Sequence, residues 1–293
     1  MMNGSFLHPH TMQELAEALG QMTEKSRIIA GGTDLMIVLR NKRPEVDMYV
    51  NIWGMEEIEG IREEEGWVRI GAATTHDTIS KNPIIKEKFK ALSMACGRVG
   101  SQQIRNKGTI GGSLVNASPA GDMIPCVCLF GGELEILKAD GSTYRILAAD
   151  FTLGVSKTAL RPQEALTAIW LPIRENRHSA FVKLGSRKEV TIAQVNMAVS
   201  WEKDEYFHNI EGYLGAVDTK PVYLEELDRI LANKKIEQKQ REELVQSLRD
   251  RITAIREKRK RPPKLKITEA EQLYKERAVR SVVYDMIDLM EVE

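Results

Sequence analysis

Two loops that pair adjacent glycines with hydroxyl side chains constrain this 293-residue chain more than any other feature. One lies in RIIAGGTDLMIVLR (Arg27 to Arg40) and the other in TIGGSLVNASPAGDMIP (Thr109 to Pro125), each entered from an apolar segment. A glycine pair lets the backbone approach a ligand with no Cβ in the way, and successive N–H groups in such a turn make an anion-binding concavity. Thr109, Ser113, Ser118 and Asn116 are able to bond phosphate or ribose, while Asp122, set further back, suits a hydroxyl or a ring N–H. By itself a Gly-Gly loop is more often a surface turn between strands. Two of them can hold the two phosphates of one pyrophosphate from opposite sides. Neither matches GxGxxG, and no GxxxxGKS or GxxxxGKT is present, so a dinucleotide fold of another kind is required.

The pair AGGTDLM and QIRNKGTIGGSLVNASPAGDMIP resembles the two flavin-binding motifs of the FAD subunit of the xanthine dehydrogenase family of molybdenum hydroxylases, which includes the medium subunit of the carbon monoxide dehydrogenases. The likeness runs to about Trp201 and then weakens. It implies an α+β fold: a two-lobed FAD-binding domain of the p-cresol methylhydroxylase type, followed by a C-terminal α/β sandwich of antiparallel sheet and helices. The expected units are residues 1–54, 55–175 and 176–293. FAD is the implied cofactor. N–H groups of Gly31, Gly32, Thr33 and Asp34, and of Gly111, Gly112 and Ser113, are expected to hold the phosphates, with Ala30 and Ile110 as neighbouring backbone. Thr33, Thr109 and Ser113 add hydroxyl bonds. Asn116 orders the second loop or the ribityl chain, and Asp122 takes a hydroxyl or ring-edge donor. Ile28, Ile29, Leu35 and Val99 supply apolar walls. Lys183 matches a lysine near the flavin in some family members; as a residue it reads equally as an exposed strand lysine. Asp34 reads equally as a helix N-cap.

Along the chain, Thr11 to Glu14 forms a capping box before a helix that ends at Gly20. Arg27 to Ala30 reads as a buried strand, Pro44 closes the next helix, and Asp47 to Asn51 makes a further strand, giving a β-α-β-α-β opening. Two short strands meet around Glu64 to Gly66. Pro83 to Gly100 reads as one helix offering Phe89, Leu92 and Met94 to a core. Arg105 and Lys107 flank the second loop, placed to balance phosphate charge, to meet a partner subunit, or simply to be solvated. Ala120 to Phe130 is a short apolar helix or strand. Glu133 to Ile146 is a hairpin turning at Ala139-Asp140-Gly141, and Glu164 to Leu171 alternates as a strand. From Leu224 the text becomes helical and charge-laced, with the basic run Lys258 to Lys266 as a linker before a last helix, Thr268 to Met290.

The 42 basic and 42 acidic residues cancel, which gives no sign of nucleic acid or an anionic membrane as partner. Three cysteines argue against a disulfide framework. The start of the chain lacks the pattern of a signal peptide, and no apolar run approaches the roughly 20 residues of a membrane span, so a cytoplasmic protein is expected. His8, His10, His76, His178 and His208 show no metal-ligand spacing, and Cys96, Cys126 and Cys128 are too few for an iron–sulfur cluster of their own. Cys126 and Cys128 read as small core side chains. The resemblance therefore implies the electron-exit subunit of a three-part hydroxylase. A large molybdopterin subunit would oxidise substrate, a small iron–sulfur subunit with 2Fe–2S clusters would relay electrons, and this FAD would pass them to NAD or another acceptor. The alternatives are a self-sufficient flavoenzyme of the same FAD fold, such as a UDP-N-acetylenolpyruvoylglucosamine reductase, and a nucleotide-binding protein without turnover.

Overall fold

Thr11 starts the first helix as the composition demands: its hydroxyl accepts from the Glu14 N–H, and the Glu14 carboxylate reaches back to the His10 N–H at 2.7 Å. The computed structural model describes residues 4–188, 190–258 and 269–292. Its opening follows the expected alternation, β1 (Ser5–Leu7), α1 (Met12–Gly20), β2 (Arg27–Ile29), α2 (Leu35–Lys42) and β3 (Met48–Asn51). The three strands form a parallel sheet in the order β1-β3-β2, with Val50 opposite both Leu7 and Ile28. Leu15, Leu19, Val50, Ile52, Met55 and Ile58 fill its core. β2 is only half-buried, against expectation, because it borders an open cleft. The apolar α2 buries no residue at all.

The second unit comprises β4 (Ile61–Glu64), β5 (Trp67–Gly71), α3 (His76–Lys81), α4 (Pro83–Lys88), α5 (Lys90–Gly97), α6 (Gln102–Arg105), α7 (Ile110–Asn116), α8 (Met123–Leu129), β6 (Glu133–Lys138), β7 (Thr143–Leu147), α9 (Ala148–Phe151), β8 (Thr152–Gly154), β9 (Lys157–Thr158) and β10 (Glu164–Pro172). Five strands make an antiparallel sheet, β4-β5-β10-β6-β7. The hairpin over Ala139 to Gly141 forms as expected, with Lys138 N–H bonded to the Ser142 carbonyl. The central β10 is buried at every position before Pro172. A register shift between Leu166 and Ala168 changes its phase: Leu166, then Ile169 and Leu171, face the core of this unit, while Ala165 joins the core of the first. The single helix expected over Pro83 to Gly100 is two helices. Phe89 leaves helical geometry (φ −136°, ψ 51°) and drives its ring into the core, edge-on to Phe130 at 5.0 Å.

The third unit is an antiparallel sheet of β11 (His178–Gly185), β12 (Ala193–Lys203), β13 (Phe207–Gly215) and β14 (Val222–Tyr223), with α10 (Glu226–Leu231), α11 (Gln238–Lys258) and α12 (Glu269–Val292). Strand alternation explains how it is sandwiched. Phe181 and Ala198 point to the core shared with α5 and α8, whereas Ala180, Val182, Met197 and Val199 point to a core completed by Leu248, Val282 and Met286. Of the basic run Lys258 to Lys266, only Lys258 falls within the described residues, at the end of α11. Among the described residues no helix is long and apolar enough to cross a membrane.

Candidate functional site

The two glycine loops touch. A Cβ built on Gly31 would lie 1.5 Å from the Lys107 carbonyl oxygen, so only glycine permits the first loop to rest on the chain that leads into the second. Gly32 adopts φ +69°, which turns the backbone from β2 into α2. Among the described residues, no acceptor engages the N–H groups of Gly31, Gly32, Thr33 or Asp34. Asp34 precedes α2 in αR geometry and its carboxylate caps nothing, so the N-cap reading of this residue is not what the structure shows.

The second loop is built differently. Residues 72–76 clamp it: Gly111 N–H donates to the Ala72 carbonyl (2.9 Å), Ile110 N–H to Thr74 (3.1 Å), and His76 N–H to Gly108 (3.0 Å). Gly111 is required there, since a Cβ would fall 2.7 Å from that of Ala72. Thr109 caps α7 by accepting from Gly112 N–H at 3.1 Å, and its carbonyl accepts from Ser113 N–H. The N–H groups of Gly111, Gly112 and Ser113, expected to face phosphate, are thus already bonded inside the fold. This loop presents hydroxyl and amide side chains and a close backbone instead.

Between the loops lies a cleft of about 260 Å³. It is lined by Ile28, Ile29, Ala30, Gly31, Gly32, Thr33, Asp34 and Leu35 from the first loop and by Thr109, Gly111, Gly112, Ser113 and Asn116 from the second. Ile110 is fully buried behind the wall, and Val99 packs on the core of the second unit. Arg105 holds its own turn by donating to the Val99 and Gly100 carbonyls, and Lys107 lies 4.4 Å from the Trp53 ring centroid. Sequence reasoning missed Val38, Ile52, Ala72, Val115, Leu160, Ala165 and Leu166, which complete the apolar walls. Apolar residues carry no mark in the sequence that separates a wall from a core.

Asp122 and Lys183 lie outside this lining but belong together. Lys183 Nζ donates to Asp122 Oδ2 at 2.6 Å and to the Arg98 carbonyl at 3.2 Å, and Asn196 Nδ2 donates to Asp122 Oδ1 at 2.9 Å. Both ionic side chains are almost fully buried, 6 % and 5 % exposed, so Lys183 is not an exposed strand lysine. Burial pushes the Asp122 carboxyl above its ordinary value, against the pull of Lys183, Asn196 and Arg98.

In the sequence His76 stands out only as one of five histidines without metal-ligand spacing. It is buried, its Nε2 lies 2.9 Å from Ser113 Oγ, and its Nδ1 has no hydrogen-bond partner among the described residues. Burial pushes its pKa down to about 4, and the Arg105 charge acts in the same direction. Its place after the capping Thr75 was the only signal of a fixed position. Cys96, Cys126 and Cys128 are free and buried. Among the described residues no three His, Cys, Asp or Glu side chains gather as a metal site.

A parallel three-stranded unit, an antiparallel five-stranded unit and a cleft floored by paired glycines define a dinucleotide-binding α+β flavoprotein fold. The FAD binding domain in molybdopterin dehydrogenase matches residues 2–174, and the chain belongs to that family. It is similar to the nicotinate dehydrogenase FAD-subunit of Eubacterium barkeri, 34 % identical over 70 % of this chain and 71 % of the relative. It is also similar to the glyceraldehyde dehydrogenase medium chain of Sulfolobus acidocaldarius, 27 % identical over 85 % and 87 % of the two chains. A chain of carbon monoxide dehydrogenase from Hydrogenophaga pseudoflava shares the fold, with TM-score 0.84, 22 % identity and coverage of 98 % and 96 %. FAD is therefore its cofactor, and the chain is a flavoprotein subunit of an oxidoreductase of the molybdenum hydroxylase family.

Proposed function

We propose that the chain grips FAD between its two glycine loops and serves as the electron-exit subunit of a molybdenum hydroxylase. In this reading a small 2Fe–2S subunit, fed by a large molybdopterin subunit, supplies electrons that leave to NAD or another acceptor. The observation that carries it is the row of N–H groups from Gly31 to Asp34, unpartnered among the described residues, along a cleft whose opposite wall holds Ser113 and Asn116. Such groups attract anionic oxygens without a counter-charge on a side chain. FAD, when bound, supplies the redox chemistry itself. The residues present do the rest. Backbone donors of the first loop hold phosphate oxygens. Thr33 and Ser113 add hydroxyl bonds, and Asn116 offers an amide to a hydroxyl of the ligand. Ile28, Ile29, Leu35 and Leu166 exclude water.

The cleft is smaller than the roughly 300–1,000 Å³ that encloses a whole drug-sized ligand, so part of FAD must extend beyond it. We assign that part to the seam between the second and third units, where Asp122 and Lys183 meet. Residues 1–54, 55–175 and 176–293 then act as two lobes around the diphosphate and a third unit against the far end of the ligand. The presence in the relatives of a named FAD-subunit and of medium chains supports partner subunits here. Gentle purification of the complex tests this. Co-elution with one chain carrying 2Fe–2S clusters and another carrying molybdenum is expected; a flavin-containing chain that turns over substrate alone would contradict it.

A further inference from the structure

We infer that His76 fixes the direction of the Ser113 hydroxyl proton, keeping Ser113 as a hydrogen-bond donor into the cleft toward an anionic oxygen of the bound dinucleotide. This rests on the FAD reading above and adds a positioning residue to it. The His76 ring is fixed by contacts, not by choice. The backbone N–H of His76 is bonded to the Gly108 carbonyl, and a Cβ on Gly108 would lie 3.1 Å from the ring Cδ2.

A neutral imidazole donates from one nitrogen and accepts at the other. Nδ1 is buried with no partner among the described residues, so a proton placed there would be a buried donor without an acceptor, the rarest arrangement in folded proteins. The proton therefore sits on Nε2 and is donated to Ser113 Oγ, 2.9 Å away. A hydroxyl that accepts in this direction must turn its own proton elsewhere, and Ser113 lines the cleft. With the opposite tautomer, Ser113 would show only lone pairs to the cleft and repel an anion. Burial keeps the ring neutral near pH 7, so the arrangement does not switch with ordinary changes in acidity.

The test titrates the flavin-stripped full chain with FAD and follows flavin fluorescence. His76→Leu and Ser113→Ala are each expected to weaken binding about tenfold, and the double variant no further. His76→Gln, whose amide N–H replaces the Nε2 donor, is expected to bind within about twofold of wild type. A merely structural role would make His76→Gln as weak as His76→Leu, and that result overturns the inference. Wild-type affinity in Ser113→Ala, or losses that multiply in the double variant, overturns it as well. If His76→Leu fails to fold, the comparison of His76→Gln with Ser113→Ala decides: equal losses overturn the inference. A wild-type chain that takes up no FAD overturns the FAD reading and this inference together, whereas failure of the inference alone leaves wild-type binding intact.

Discussion

Lys183 and Asp122, 61 residues apart in sequence, form a buried ion pair of 2.6 Å that ties the third sheet to the start of α8. The lysine lies on β11 and the carboxylate immediately precedes α8, so the pair spans the seam between two units. Asn196 on β12 occupies the second carboxylate oxygen, and the Arg98 carbonyl takes a second bond from the ammonium. Asn196 Oδ1 has no partner among the described residues, and Phe181 and Ala198 of the third sheet pack on α5 and α8 beside the pair.

Lys183→Met is expected to destabilise the chain by about 3–5 kcal/mol, because it strands a carboxylate in the interior. Urea unfolding measures it. Lys183→Met combined with Asp122→Asn should recover most of the loss, since no unpaired charge then remains. A single-variant loss under ~1 kcal/mol would mean that water reaches the pair.

Gly31→Ala is expected to push the loops apart, because its Cβ has no room before the Lys107 carbonyl. Overpacking of this kind costs about 1–3 kcal/mol, and FAD affinity should fall at least about tenfold. Gly154→Ala is the control: its Cβ would meet nothing within 4 Å, and it should change stability by less than ~0.5 kcal/mol. Equal behaviour of the two variants in thermal melting and FAD titration would contradict the close approach of the loops.

Acid should weaken the fold through His76. Its folded pKa of about 4 lies below the ordinary 6.5, so between these values the unfolded chain binds more protons than the folded one. The stability this group contributes is complete above pH ~6.5 and is lost as pH falls toward 4, amounting to about 3 kcal/mol over that window. Unfolding free energies of wild type and His76→Gln, measured from pH 7 to pH 4, should show a pH-dependent difference of that sign. Parallel curves would show that the imidazole titrates freely.

Thr109→Ala removes the cap of α7 and should cost about 1 kcal/mol. Asp34→Ala, at the start of α2, should leave stability within ~0.5 kcal/mol, because its carboxylate bonds no helix N–H. Thermal melts of the two variants check the contrast, and an equal loss in both would restore Asp34 as a cap.

The elements that local chemistry decides were legible in the sequence. The Thr11 cap, the 139–141 turn and the turn at Gly32 are where the residues say, whereas Gly111 and Gly112 lie inside α7 and serve close approach rather than a special backbone conformation. What tertiary packing decides was not legible. Phe89 breaks a helix whose composition gives no reason to stop, because Phe130 offers its ring a better place than the helix surface. The phase change in β10 depends on a bulge with no glycine or proline to mark it. The paired glycines looked alike, yet Ala72 and Thr109 take up the N–H groups of Gly111, Gly112 and Ser113, whereas those of Gly31 to Asp34 have no acceptor among the described residues. His76 escaped notice because its partner, Ser113, is 37 residues away.

Comparison of FAD with riboflavin is the most direct test of the claim that the two loops hold a diphosphate. Titrated into the flavin-stripped chain, FAD should bind at one per chain and at least about 100-fold more tightly than riboflavin, which lacks the phosphates, since charge-assisted hydrogen bonds contribute about 1.5–3 kcal/mol each. Equal affinity for the two flavins, or no uptake of FAD, would contradict the account.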